Sequence, residues 1–317
     1  MVVSDLFKKT EVKRGLFAFE KAALFYNVFT LVLILLFFGR MDHPSLMIVQ
    51  RLAIAAGVFA LMLLYKCWPC RIFELVRCGY QLGLLAYWYS DTFEFNRMFP
   101  NLDHLFASAE QWLFGCQPAL LFAQKFPQFV VSELLNLGYV SYFPMIASVA
   151  LWYFFCRPDL FHKTSYVLAS SFFVYYLIFI FLPVAGPQFY FPAIGEANVI
   201  QGIFPSIGDY FNLHHELLPN NNEVGGFFYS LVESSQTVGE RPTAAFPSSH
   251  VGISTILMFM AWRGSKRFFG WLFPFYVLLC MATVYIQAHY LIDVIAGFIS
   301  AFIVYAFTSW IYRRFLR

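Results

Sequence analysis

Eight apolar stretches, near residues 21–39, 46–65, 72–90, 130–155, 165–183, 247–263, 268–287 and 290–311, leave this chain few folds to choose from. Runs of about 20 apolar residues are long enough to cross a bilayer as helices. The chain is 60% hydrophobic and only 12% charged, whereas soluble domains carry roughly 25% charge. The expected fold class is an all-α polytopic membrane protein with about eight transmembrane helices. The third stretch is the weakest, because Glu74 and Arg77 interrupt it. Three residues apart, they share a helical face, on which they pair with each other or snorkel to the interface.

Basic residues orient the helices. With the N-terminus in the cytoplasm, the inner segments hold Lys8, Lys9, Lys13, Arg14 and Lys21, then Lys66, Arg71 and Arg77, then Arg157 and Lys163, then Arg263, Lys266 and Arg267, and finally Arg313, Arg314 and Arg317. The outer segments hold Arg40, Arg97, Lys125 and Arg241. Both termini are therefore expected inside and residues 184–246 outside, in the inner membrane if the cell is bacterial. The polar, basic start carries no small-residue cleavage site behind its first apolar run, so no cleaved signal peptide is expected. A net charge of +3 without a basic aromatic patch gives no support for a nucleic-acid partner.

Three regions follow: a basic lead-in at 1–20, membrane helices with an interfacial segment at 21–127, and a core at 128–317. Residues 97–127 mix apolar and polar side chains at helical spacing and are expected to lie along the outer interface as amphipathic helices. Residues 184–246, with Gly186, Pro187, Pro192, Pro205, Pro219 and the run Asn220-Asn221-Asn222, read as a long outer loop with a lid or substrate-binding role. The cysteines at 67, 70, 78, 116, 156 and 280 suggest neither a disulfide framework nor a zinc site. Cys67-Trp68-Pro69-Cys70 has the spacing of a redox pair, but without a βαβ context two interfacial thiols are the simpler reading.

The chemistry concentrates between Arg241 and Asp293. If the stretches 247–263 and 268–287 form an antiparallel pair joined at Arg263-Gly264-Ser265-Lys266-Arg267, His250 and His289 emerge on one face of the bilayer. Asp293 then lies one turn past His289 on the same side of its helix. This is a nucleophile or base with an orienting carboxylate, and a second acid or base beside it. The competing reading is a structural His–Asp hydrogen bond that holds the bundle. His250 follows Pro247-Ser248-Ser249, which sets two hydroxyls and the amides of a starting helix beside an imidazole, an arrangement suited to anions. Arg241 can grip a phosphate with two N–H groups. The set suggests phosphoryl transfer on a lipid.

Phe246-Pro247-Ser248-Ser249-His250 and His289-Tyr290-Leu291-Ile292-Asp293 resemble the second and third motifs of the type 2 phosphatidic acid phosphatase (PAP2) superfamily, and Arg241-Pro242 resembles the end of its first. The resemblance covers roughly the last 150 residues, counted from Gly186-Pro187, and implies a PAP2-like helical core. Where the phosphatases carry a lysine and an arginine, this chain has Ser234 and Thr283. The pattern from Thr283 through Tyr285, His289 and Tyr290 to Asp293 instead resembles the inositol phosphorylceramide synthase branch, as does the interfacial Leu102-Asp103 and Phe114-Gly115 segment.

That resemblance implies roles. His289 would be the nucleophile, forming a phosphohistidine. Asp293 would fix its tautomer, and His250 would protonate the leaving oxygen and then deprotonate the acceptor. Arg241, Ser248 and Ser249 would bind phosphate, and Gly186, Pro187, Gln188 and Tyr190 would contact substrate; no metal or other cofactor is implied. The expected activity moves a phosphorylated head group, such as inositol phosphate, from a phospholipid donor to a lipid hydroxyl such as that of ceramide or diacylglycerol. Hydrolysis of a lipid phosphate by water is the alternative, and a non-catalytic lipid-binding or transport protein is the alternative outside enzymes. A haloperoxidase is disfavoured by the apolar core and the missing lysine. His43, His104, His162, His214 and His215 have no comparable setting, although His214-His215 could meet a head group rather than solvent. The orientation predicts that, in a cysteine-free background, a cysteine at position 221 reacts with an impermeant reagent from outside. One at position 265 should react only after permeabilisation, and the reverse pattern would move the site to the other face.

Overall fold

The computed structural model describes residues 6–9, 12–13, 15–215 and 225–316. Arg14, Arg317, Pro219 and the Asn220–Asn222 run lie outside them. Among the described residues the regular structure is helical: α1 (Ala18–Leu36), α2 (Pro44–Cys67), α3 (Arg71–Asn96), α4 (Asp103–Phe114), α5 (Pro118–Lys125), α6 (Phe129–Val140), α7 (Tyr142–Cys156), α8 (Pro158–Phe181), α9 (Pro187–Ile194), α10 (Glu196–Ile200), α11 (Phe227–Gly239), α12 (Ser249–Gly264), α13 (Lys266–Tyr285) and α14 (Leu291–Ile311).

Several of these helices make the chain an integral membrane protein, but not by eight equal spans. Among the described residues five helices are long and apolar enough to cross a bilayer: α1, α2, α8, α13 and α14 with the turn that follows it. The pair α6 and α7, bent by 43°, makes a sixth if it is one span. The shortfall has physical causes. Charges at Arg71, Glu74, Arg77, Asp91 and Glu94 dilute α3. α12 has 16 residues, about 24 Å at 1.5 Å per residue. Residues 184–246 are not a simple loop either, since α9, α10 and α11 occupy about half of their described part.

The chain divides into two compact units, one of residues 1–88, 150–173 and 305–317, the other of residues 89–149 and 174–304. The first buries charge in pairs, as apolar surroundings demand. Glu74 and Arg77 do not pair with each other. Arg77 Nε donates to Glu20 at 2.6 Å, while Glu74 meets Lys13 and His162, each at 3.1 Å. Arg51 donates to Thr30 at 3.0 Å and lies 4.8 Å over the Trp88 ring. Cys67 is exposed and Cys70 buried.

The second unit holds both motif histidines. α4 is amphipathic in the inverse sense: Asp103, Ala107 and Glu110 are buried, whereas Leu105, Trp112 and Leu113 are exposed. Spacings of four and three put the acids on one face. Two apolar clusters flank the turn between α13 and α14. One contains Val184, Ala185, Phe189, Tyr190 and Tyr290; the other contains Leu135, Val232, Ala282, Tyr285 and Ala288. The residues on either side of His289 are thus anchored in different cores.

Glycines permit the closest helix contacts. A Cβ at Gly138 on α6 would lie 2.6 Å from the Leu278 carbonyl carbon on α13, and one at Gly297 on α14 would lie 2.5 Å from the Ser248 carbonyl oxygen. Backbone cannot yield as a flexible side chain can. Gly138→Ala and Gly297→Ala should therefore each destabilise the protein by about 1–3 kcal/mol. Gly270→Ala, with nothing within 4 Å, should be neutral or stabilising. Thermal unfolding in one detergent checks this, and equal melting temperatures for Gly297→Ala and Gly270→Ala would refute the close approach.

Candidate active site

The turn of residues 286–290 presents the first imidazole. α13 stops at Tyr285, and Gln287 takes φ 63°, a left-handed conformation uncommon for a side chain of this size. The His289 amide reaches back to the Thr283 carbonyl at 3.0 Å, and α14 begins at Leu291. His289 and Asp293 therefore do not share one helix, as their spacing suggested. Asp293 instead sits in the first turn of α14, and its Oδ2 accepts the Tyr290 amide at 2.9 Å. That contact is one half of a capping box. Asp293 Oδ2 remains 3.7 Å from His289 Nδ1, and its buried Oδ1 has no hydrogen-bond partner among the described residues.

What holds His289 is a backbone group. Nδ1 lies 2.8 Å from the Ala245 carbonyl oxygen. A carbonyl only accepts, so Nδ1 carries the proton and the Nε2 lone pair is free. Nε2 lies 3.5 Å from His250 Nδ1, with ring centroids 5.7 Å apart. The motif histidines, 39 residues apart in sequence, thus meet directly. His289 lies in the turn, outside the spanning helices. Burial pushes it down to about 4, against the pull of the Ala245 carbonyl and the Glu240 charge. It is neutral at physiological pH.

His250 opens α12 two residues after its cap. Ser248 caps the helix, its Oγ accepting the Val251 amide at 3.4 Å, and its own amide donates to the Asp293 carbonyl at 3.0 Å. Ser248 and Ser249 are buried, and the amides of this first turn point out of the helix beside His250. The rings of Tyr139 and Tyr142 flank His250 at 4.9 and 4.5 Å. Arg241 is exposed on the strand of chain leading into the motif. Ser234 Oγ donates to the Ser230 carbonyl, and Thr283 Oγ to the Cys280 carbonyl.

The remaining candidates divide. Gly186 takes φ 94°, and a Cβ there would lie 2.7 Å from the Ala288 carbonyl oxygen, so it sits directly against the histidine turn. Pro187 starts α9. The Gln188 amide donates to the Gln287 carbonyl at 3.0 Å, and Gln188 Oε1 accepts from Gln236 at 3.1 Å. Tyr190 points into an apolar cluster and donates to the Pro205 carbonyl at 2.7 Å. His214 stacks on Tyr210 at 4.2 Å, and His215 lies 2.9 Å from the Phe211 carbonyl oxygen.

Sequence reasoning missed the acids that support these elements. Asp103 accepts from the Ala185 and Gly186 amides at 2.6 and 2.8 Å and from the Tyr290 hydroxyl at 3.0 Å. Glu110 accepts from the Leu291 and Ile292 amides at 2.6 and 3.4 Å, at the half-buried start of α14. Glu240 accepts from the hydroxyls of Tyr89 and Tyr139. Their signal was available in part, since Asp103 and Glu110 lie on one face of a helix whose other face is apolar.

A family model described as the PAP2 superfamily matches residues 103–307. No curated protein and no solved structure matches the chain. The match begins at Asp103, so the interfacial acids fall within it.

Glu110 also makes a pH prediction. Burial, with the Asp293 charge adding to it, pushes its carboxyl from 4.5 up to about 8, against the two amides. Between these values the folded state holds a proton that the unfolded state has lost, so its contribution falls as pH rises. Glu110→Gln keeps an acceptor for Leu291 and removes the titration. The wild type should therefore lose melting temperature relative to Glu110→Gln between pH 6.5 and 8; both proteins carry His289, so its own titration cancels from the comparison. Parallel curves would contradict the assignment.

Proposed function

The chain belongs to the PAP2 superfamily, and from that membership we propose that it is a lipid phosphotransferase working through a phosphohistidine on His289. Membership makes it an enzyme of the lipid phosphatase or phosphotransferase kind; the proposal concerns the mechanism and which of the two it is. The observation that carries the mechanism is the imidazole pair, with Nδ1 of His289 committed to the Ala245 carbonyl at 2.8 Å and Nε2 facing His250 at 3.5 Å.

In this reading the donor phosphate enters between the rings, displacing His250 while the Ala245 bond keeps His289 in place. His289 Nε2 forms a bond to phosphorus as the bond to the donor lipid oxygen breaks, and His250, which takes up a proton with the anionic donor, passes that proton to the leaving oxygen and is left neutral. An acceptor hydroxyl then gives its proton to His250 and attacks phosphorus, freeing His289. Asp293 stabilises the positive charge that the ring carries as a phosphohistidine. The amides of the first turn of α12, with Ser248, Ser249 and Arg241, hold the equatorial oxygens. Gly186, Pro187 and Gln188 shape the wall beside the turn. For the fold as a whole, we extend the membrane body to eight helices by including α3, whose Glu74 and Arg77 are paired, and α12, which is short but lined by apolar neighbours. The site then opens to the outer face with both termini inside.

Two features favour transfer over hydrolysis. Ser234 and Thr283 stand where the phosphatases carry cations, and each hydroxyl is already bonded to its own helix. A phosphodiester carries one negative charge and a monoester about two near neutral pH, so a site with fewer cations suits a diester. Apolar neighbours at Val251, Ile286 and Tyr290 also favour a lipid hydroxyl over water. Candidate pairs are an inositol-bearing phospholipid as donor and ceramide or diacylglycerol as acceptor.

Initial rates with phosphatidic acid and with phosphodiester lipids, each with and without ceramide or diacylglycerol, test the proposal. Diester lipids should be used far better, and an acceptor lipid should divert product from hydrolysis to transfer. Faster turnover of phosphatidic acid, indifferent to the acceptor, would make the protein a phosphatase.

A further inference from the structure

Glu240 is the last residue before Arg241, at the end of α11, and has no part in the mechanism above. It is mostly buried. Its two oxygens are both engaged: Oε2 accepts from Tyr89 at 3.1 Å and Oε1 from Tyr139 at 3.2 Å. Two phenol donors, one on each oxygen, are the partners that suit a carboxylate. The Tyr139 ring in turn stacks on His250 with an interplanar angle of 27°. One carboxylate therefore ties the end of α11 to α3 and α6 and fixes the aromatic face against which His250 lies.

We propose that Glu240 is a positioning residue for phosphoryl transfer: held by Tyr89 and Tyr139, its carboxylate sets the wall that orients His250 and places a negative charge on the site. The charge matters because His289 becomes positive when its Nε2 is phosphorylated while Nδ1 keeps its proton. Asp293 supplies one anion at 3.7 Å from Nδ1, but one of its oxygens is spent on the Tyr290 amide. Glu240 supplies a second, and the attraction is mutual: His289 draws the Glu240 carboxyl down against the burial that raises it. Among the described residues, His250 on α12 and Asp293 on α14 face His289, and Glu240 after α11 acts on it through its charge. The ring wall acts on His250, and the charge acts on His289, so the two effects can be separated.

The proposal rests on the phosphohistidine reading, and its test keeps the two distinct. Full-length protein is purified as wild type, Glu240→Gln, Tyr139→Phe and His289→Ala. Turnover of a phosphodiester lipid is measured beside the titration of ¹⁵N-labelled histidine in the absence of substrate. Glu240→Gln removes the charge and one acceptor. It should lower the pH at which His289 takes up a proton by about half a unit or more. Its kcat should fall roughly tenfold, with KM little changed because the loss is felt in the transition state. Tyr139→Phe keeps the ring and the charge. It should leave the His289 titration in place while lowering kcat. If both variants match the wild type in kcat and titration, the proposal is overturned. It is also overturned if activity falls only in proportion to folded protein while the titration stays put. If Glu240→Gln does not fold, kcat of Tyr139→Phe decides. Wild-type activity in His289→Ala would defeat the phosphohistidine reading, and the titration in Glu240→Gln would still decide the charge.

Discussion

Carboxylates from neighbouring segments close the open helix starts around the site, and the position of the histidines depends on that contact. A helix start leaves amides without partners, and in an apolar setting no water is at hand to take them. Asp103 takes the Ala185 and Gly186 amides before α9. Glu110 takes those of Leu291 and Ile292 in α14. Glu133 takes those of Phe228 and Tyr229 in α11, at 3.0 and 2.9 Å. Each acid favours the positive end of a helix dipole as well as its free N–H groups. The donors lie 82 to 187 residues away in sequence from Asp103 alone, so these bonds are tertiary structure in the full sense.

The turn that carries His289 is fixed from both sides by this arrangement. Tyr290 is bound through its hydroxyl by Asp103 and through its amide by Asp293. Ala288 lies against Gly186, where only a glycine fits. Between them the imidazole has one available direction, with Nδ1 on the Ala245 carbonyl and Nε2 toward His250. The chain segment 243–245, held through the Ala245 amide to the Val184 carbonyl at 2.9 Å, therefore orients His289 although it offers no reactive side chain. Preorganisation of this kind is what lets a small set of groups act in phosphoryl transfer, where positioning and electrostatics do most of the work.

Much of this was legible in the chain and some was not. The pairing of His250 with His289 followed from two apolar segments joined by a basic turn, and the family followed from the two histidine motifs. The membrane class followed from composition, but eight spans did not: charges dilute α3, and α12 has only 16 residues. Arg77 finds Glu20, 57 residues away, and no local pattern announces such a partner. Asp293 illustrates the same limit: a spacing of four suggests one helical face, yet a left-handed Gln287 ends α13 and puts His289 in a turn. The Ala245 carbonyl was invisible for a simpler reason, since every residue has one. Tyr190 looked like a substrate contact and is a core residue with its hydroxyl on Pro205. Glu240 hid beside Arg241, whose charge drew the attention.

The central claim is that His289 Nε2, freed by the Ala245 bond, takes the phosphoryl group. Rapid acid-free quenching of the enzyme during turnover of a phosphodiester lipid, followed by mass spectrometry of the peptide containing residue 289, tests it most directly. An acid-labile phosphoryl group on His289 that forms faster than product is released, and is absent in His289→Ala, is the predicted result. Undiminished turnover in His289→Ala, or a phosphoryl group trapped on another residue alone, would contradict it.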